Sequence, residues 1–189
     1  DIRQIDSNGL DNYTNSVINA RLTDSFWDTL LPQQIETSSA ISPYFLVFKA
    51  AQVKLNDKGF LSNAIAIRDL ILNRGDMHHI YPRHYLKTEL KLQRGRYNQI
   101  ANFAVTQSEI NIAIGNKPPS DYFAMIADQC KGGIQKFGGI LNEDDMLENF
   151  RMNCIPESMF SGQVPDYEEF LKQRRYLMAQ KIKAYFDLL

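Results

Sequence analysis

All three histidines of the chain, His78, His79 and His84, fall within seven residues of one another, and two are adjacent in the run Gly75-Asp76-Met77-His78-His79-Ile80-Tyr81-Pro82. Neighbouring side chains on an extended backbone point to opposite faces. One imidazole of such a pair can therefore ligate a metal while the other faces a substrate across it. Imidazole also titrates closest to neutral pH of all side chains, which suits it to taking a proton from water. The competing reading is a surface loop that carries imidazoles. His84, beyond Pro82, reads as a second candidate base, a substrate contact or a solvated residue.

Elements that could position such chemistry follow in the chain. Ile100-Ala101-Asn102-Phe103-Ala104-Val105-Thr106 has the composition of a strand, and Ser108 to Gly115 reads as a short helix, with Ser108 as N-cap and Gly115 as stop. A strand with paired histidines, a returning strand with Asn102 and a helix with Asn111 make a strand-strand-helix unit. One divalent metal fits between its first strand and its helix.

The segment His78-His79-Ile80-Tyr81-Pro82, with Asn102 and Asn111, resembles the HNH (ββα-metal, His-Me finger) nuclease motif. The wording around it is similar to the C-terminal nuclease domain of GmrSD-type restriction proteins: Tyr85-Leu86-Lys87, Ile100-Ala101-Asn102-Phe103, then Asn116-Lys117-Pro118-Pro119-Ser120-Asp121-Tyr122-Phe123. The resemblance extends from about Ser42 to the C-terminus and is specific over residues 75–123. It implies a mainly α fold, a helical domain with an embedded ββα-metal motif formed by a short β-hairpin and helix. It also implies a metal-dependent DNA endonuclease, the cytoplasmic effector of a restriction or anti-phage system acting on foreign or modified DNA.

The resemblance assigns roles residue by residue. His79 is the base that deprotonates the attacking water, Asn102 orients the His79 loop, and His78 and Asn111 ligate the metal. Arg83, Lys117, Lys87 and Arg96 are the candidates for phosphate or DNA contact, although Lys117, at the helix end before Pro118, also reads as a charge partner of that helix. His78 stands where many relatives have Asp. Imidazole in place of carboxylate removes a negative charge and softens the site, so of Mg²⁺ and Mn²⁺ the latter, or another transition ion, gains. The position one turn beyond Asn111 is Gly115, so a third helix ligand is absent. Two protein ligands imply one site that is weak without DNA.

In a chain of 189 residues with 44% hydrophobic residues there is enough for one well-buried core. A net charge of −1 and a pI of about 6.3 give no global sign of a nucleic-acid binder. Any basic surface is local, and Arg83, Lys87, Lys91, Arg94 and Arg96 against Glu89 alone form such an excess. Cys130 and Cys154 are far apart and make no Cys-x-x-Cys pair, which fits a reducing, cytoplasmic setting. There is no secretory signal and no apolar run of membrane-spanning length. Asp1 at the start and the polar opening read as a fragment of a longer protein. Residues 1–40 then read as a polar segment and helix left from a linker to a missing N-terminal ParB-like nucleotide-dependent domain. Residues 41–189 read as the HNH nuclease-like domain with flanking helices, its motif core at 75–123.

Around the motif, the spacing predicts helices over 13–31, from Ser42-Pro43 to about Leu55, from Leu61 to near Asn73-Arg74-Gly75, from Ser120 to about Cys130, and from Asp166 to Leu188. Lys172, Arg174, Arg175, Lys181 and Lys183 of the last helix read as solvated. Glu143 to Glu148 read as an acidic first helical turn, and the two Gly-Gly pairs, at 132–133 and 138–139, as a loop of unassigned role. The alternative function is a degenerate HNH-like domain that binds DNA or a partner domain without catalysis.

Overall fold

The computed structural model describes residues 2–73 and 75–189; the expected helix stop at Arg74 lies outside them. The chain is mainly helical, with one two-stranded antiparallel sheet. In order the elements are α1 (Ile2–Asn8), α2 (Leu10–Arg21), a π-helical turn (Phe26–Leu30) running into α3 (Leu31–Gln34), α4 (Pro43–Lys54), α5 (Ile67–Leu72), β1 (Asp76–His79), α6 (Arg83–Thr88), α7 (Arg94–Tyr97), β2 (Phe103–Thr106), α8 (Ser108–Ile114), α9 (Pro119–Cys130), α10 (Glu143–Met152) and α11 (Tyr167–Phe186). Among the described residues no helix is long and apolar enough to cross a membrane.

α11 is the spine. Its buried residues Tyr167, Phe170, Leu171, Arg174, Met178 and Ile182 recur at three and four, one face of an α-helix. Asp166 caps it by accepting a hydrogen bond from the Glu169 amide at 2.9 Å. Against this face pack α4, α3 and the π-helical turn. Ser42 caps α4 as expected, its hydroxyl accepting from the Phe45 amide at 3.2 Å with Pro43 in the first turn. The expected solvated basic face of α11 is corrected at three places. Arg174 is fully buried because it occupies the core stripe, Lys181 pairs with buried Asp57, and Arg175 is mostly covered and pairs with Glu36.

The expected helix over 13–31 is two elements: α2 ends at Arg21, and a new start at Phe26 turns Trp27 into the core. The Trp27 indole donates to Leu22 O at 3.1 Å, and Leu31 and Ile35 follow it into the core. The Ile100 amide also donates to Thr37 O. Trp27, Leu31 and Ile35 are thus part of the packed body, whereas α1 and α2 bury no residue.

The helix expected from Leu61 begins only at Ile67. Leu61 sits at φ +61°, a left-handed conformation that no helix continues through. Asn149 of α10 fastens this turn, accepting from the Leu61 amide and donating to Gly59 O and Ser62 O at 2.9–3.0 Å. The unassigned glycine loop packs against the same turn. A Cβ on Gly138, itself at φ +59°, would lie 2.0 Å from Leu61 O, so only glycine permits the approach.

The strand pair has the register Asp76↔Thr106, Met77↔Val105, His78↔Ala104 and His79↔Phe103. It is not the expected short hairpin. The basic stretch after Pro82 folds into α6 and α7, so residues 80–102 link the two strands. Phe60 is tied to the outer edge of β2, its amide donating to Val105 O and its carbonyl accepting from the Thr106 hydroxyl at 2.7 Å.

Candidate active site

The period of two along β1 separates its side chains. Asp76 and His78 share the face toward α8, and Met77 and His79 take the other. His78 is only 2% exposed; its ring stacks on Phe60 and meets Tyr122 edge-on. Its Nδ1–H donates to Asn111 Oδ1 at 2.8 Å, and Asn111 Nδ2 in turn donates to Asp76 Oδ2 at 3.1 Å. His78 Nε2 is buried without a partner.

His79 lies edge-on to Phe103, its cross-strand partner, and is half-buried. Its Nε2–H donates to Asn98 Oδ1 at 3.0 Å, which leaves the Nδ1 lone pair as the basic atom. Burial lowers the His79 pKa below its ordinary 6.5, and the nearby Arg83 charge adds to the shift against the Asn98 hydrogen bond. Its imidazole is neutral at pH 7.

Side chains from both faces of β1 reach a cleft of about 170 Å³, lined by Met77, His78, His79, Pro82, Arg83, Asn111, Gly115 and Asn116. Arg83 is at its rim, its guanidinium 5.6 Å above the Tyr97 ring, a cation-π contact that limits where it can reach. Gly115, at φ +60°, ends α8 and brings Asn116 to the cleft. Two larger grooves lie along α11: one is lined by aliphatic and aromatic side chains, and the other joins Leu55, Ile155 and Leu177 to Arg151, Glu157, Gln173 and Lys181.

Asn102 stands behind the cleft, fully buried in a 3₁₀ turn just before β2. Its Oδ1 accepts from the Tyr81 amide at 2.8 Å, and its Nδ2 donates to Tyr81 O at 3.0 Å and to Tyr97 O at 3.4 Å. One side chain thus clamps the turn that follows His79. Asn102→Ala leaves both Tyr81 backbone groups buried without partners, while Tyr97 O keeps a bond from the Tyr167 hydroxyl. The expected loss is about 3 kcal/mol of folding stability, read from a urea melt; a change under 1 kcal/mol would count against the clamp.

The other expected contacts divide. Lys117 does not line the cleft: its Nζ donates to Ala113 O at 2.7 Å and Ile114 O at 3.2 Å, closing the C-terminal turn of α8. Arg96 pairs with Glu168 at 2.6 Å, away from the cleft lining, and Lys87 is exposed on α6. His84 is exposed and outside the cleft. Three residues escaped the sequence reading. Asp76 carries a legible signal, since it lies two before His78 on one strand face. Asn98 and Asn116 carry none, because loops bring them in.

Among the described residues no three His, Cys, Asp or Glu side chains gather into a metal-binding group. A cation here would depend on the Asn111 amide oxygen. The donor set fits one in the other His78 tautomer, with the ring proton moved from Nδ1 to the unpartnered Nε2. Nδ1 of His78 and Oδ1 of Asn111, 2.8 Å apart, have nearly the spacing of adjacent donors on one ion with bonds of about 2.0–2.2 Å.

No family model, curated protein or solved structure matches the chain. What the cleft does must be read from its own residues.

Burial is the main cause that pushes the His78 pKa down to about 4; the Asn111 hydrogen bond opposes it, His79 and Arg174 reinforce it, and Asp76 opposes it. The unfolded chain takes up a proton near pH 6.5 and the folded chain only near pH 4. Stability is therefore fully present above pH 6.5 and falls as the pH drops through that window, by about 3 kcal/mol in total. Urea melts in EDTA from pH 7 to pH 4.5 should show this slope, and His78→Asn should flatten it. A slope unchanged in the variant would assign the acid sensitivity to other groups.

Proposed function

We propose that the chain is a metal-dependent DNA endonuclease domain of the HNH type, acting as the effector of a restriction or anti-phage protein. The observation that carries this reading is the convergence of His78 Nδ1 and Asn111 Oδ1 to 2.8 Å beside a cleft that His79 also lines. Support comes also from Asn102, which holds the turn after His79 as the resemblance expects.

Hydrolysis of a phosphodiester needs an activated water, charge compensation on the phosphate and in-line positioning. A divalent cation held by His78 and Asn111 would offset charge on the phosphate and leaving oxygens. The rest falls to the chain's own groups. His79 takes a proton from water at Nδ1, with Asn98 fixing the tautomer through Nε2. Arg83 binds a phosphate oxygen at the cleft rim. Asn102 keeps the His79 turn in place. The small polar cleft suits a sugar-phosphate backbone rather than an inserted base. Choice of foreign or modified DNA, and any nucleotide dependence, then belong to an N-terminal ParB-like domain, in a cytoplasmic protein.

One observation favours a second reading, a degenerate domain that binds DNA or a partner. The chain of hydrogen bonds from His78 through Asn111 to Asp76 is complete without an ion and already ties α8 to β1. Nicking of supercoiled plasmid with Mg²⁺, Mn²⁺ or EDTA separates the two. Metal-dependent nicking supports the nuclease. Inactivity here and in the full-length protein on modified DNA supports the degenerate domain.

A further inference from the structure

We infer that Asp76 is the anionic member of the divalent-cation site, holding the Asn111 amide for the cation and supplying the negative charge that His78 lacks. The inference rests on the nuclease reading of the same cleft. It starts from a charge deficit: an imidazole and an amide together bring no negative charge to a dication, and hard ions such as Mg²⁺ favour anionic oxygen. Asp76 removes that deficit. It lies two residues before His78 on β1, so both side chains face α8.

Its contact is specific. Asp76 Oδ2 accepts from Asn111 Nδ2 at 3.1 Å, which turns Asn111 Oδ1 toward His78 Nδ1. A flipped amide would set its own N–H₂ against His78 and its oxygen against the carboxylate, so the anion selects the orientation that offers an oxygen donor. Charged partners that orient a metal's ligands are commonly worth about 10–100-fold in affinity. The carboxylate is half-buried behind Asn111, where solvent screens it less than on an open surface.

The test is isothermal titration of the protein with Mn²⁺ and with Mg²⁺, taken to millimolar ion so that a site weak without DNA still saturates, for wild type, Asp76→Asn, Asp76→Ala, His78→Asn and His84→Ala. Asn at 76 keeps an acceptor for Asn111 Nδ2 and removes only charge; Ala removes both. Asp76→Asn should weaken Mn²⁺ at least about tenfold and Mg²⁺ more, Asp76→Ala should weaken both further, and His84→Ala, outside the cleft, should leave binding unchanged. Urea melts in EDTA, with Asp76→Asn close to wild type, show that the effect is not unfolding. If Asp76→Asn binds both ions as wild type does while His78→Asn loses them, the role of Asp76 is overturned and the nuclease reading stands. If wild type shows no saturable binding that His78→Asn removes, the metal site itself is overturned.

Discussion

His79→Ala should lower the rate of plasmid nicking by about 10²- to 10⁴-fold, the usual worth of a positioned general base. The size of the effect follows from geometry. His79 is the one imidazole of the cleft with a free basic nitrogen. His78 donates its Nδ1–H to Asn111 and keeps Nε2 in the core, whereas His79 uses Nε2 on Asn98 and keeps Nδ1 unengaged. Its lowered pKa keeps the base form populated through neutral pH, so the wild-type rate should hold at pH 7 and decline only below pH 6.5. His84→Ala is the matched control. It removes an exposed imidazole outside the cleft and should leave nicking within twofold of wild type. Equal loss in both variants would show that neither acts as the base. Asn98→Ala should cost less than His79→Ala, because it frees the tautomer without removing the base.

Arg174→Ala should cost about 4 kcal/mol of folding stability, a large fraction of the roughly 5–15 kcal/mol that holds such a domain. The side chain is fully buried on α11. It donates from one terminal nitrogen to Ala101 O at 2.8 Å and from the other to Asn153 O at 3.1 Å, while Nε has no partner. Among the described residues no carboxylate pairs with it. Burial, opposed by Cys154 and Tyr122, pushes its pKa down to about 10, so at pH 7 the guanidinium is still charged. Truncation leaves two carbonyls without their donors and a void the size of the side chain. Loss of a costly buried charge offsets part of this. Arg174→Met, which fills the space without charge, should therefore lose less than Arg174→Ala. Urea midpoints of the three proteins give the order, and a shift under 1 kcal/mol for Ala would remove Arg174 from the list of supports. The bond to Ala101 also bears on the cleft: Ala101 precedes Asn102, so α11 braces the turn that clamps Tyr81.

The sequence by itself determined the pieces whose signals are local. Strand alternation at Asp76-Met77-His78-His79, the Ser42-Pro43 start of α4, the Gly115 stop of α8 and the three-four stripe of α11 are set by neighbours a few residues apart, and each stands where its spacing puts it. The mainly helical character follows from the same signals. What the sequence left undecided are the features made by contacts between distant residues. The left-handed turn at Leu61 breaks an apolar run that reads as helix, because Asn149, from α10, satisfies its backbone groups. Arg174 reads as solvated until Ala101 and Asn153 offer it carbonyls inside the core. Lys117 reads equally well as a phosphate ligand or a helix cap, and only the fold sets it on Ala113 and Ile114. The candidate site divides the same way. His78, His79, Asn102 and Asn111 are readable as residue types in order along the chain, but the partner of each ring nitrogen depends on chain that loops back from 19 and 33 residues away. Hydrogen-bond partners buried in a core are selected by three-dimensional proximity and the need to satisfy every polar group there, and spacing along a sequence carries neither.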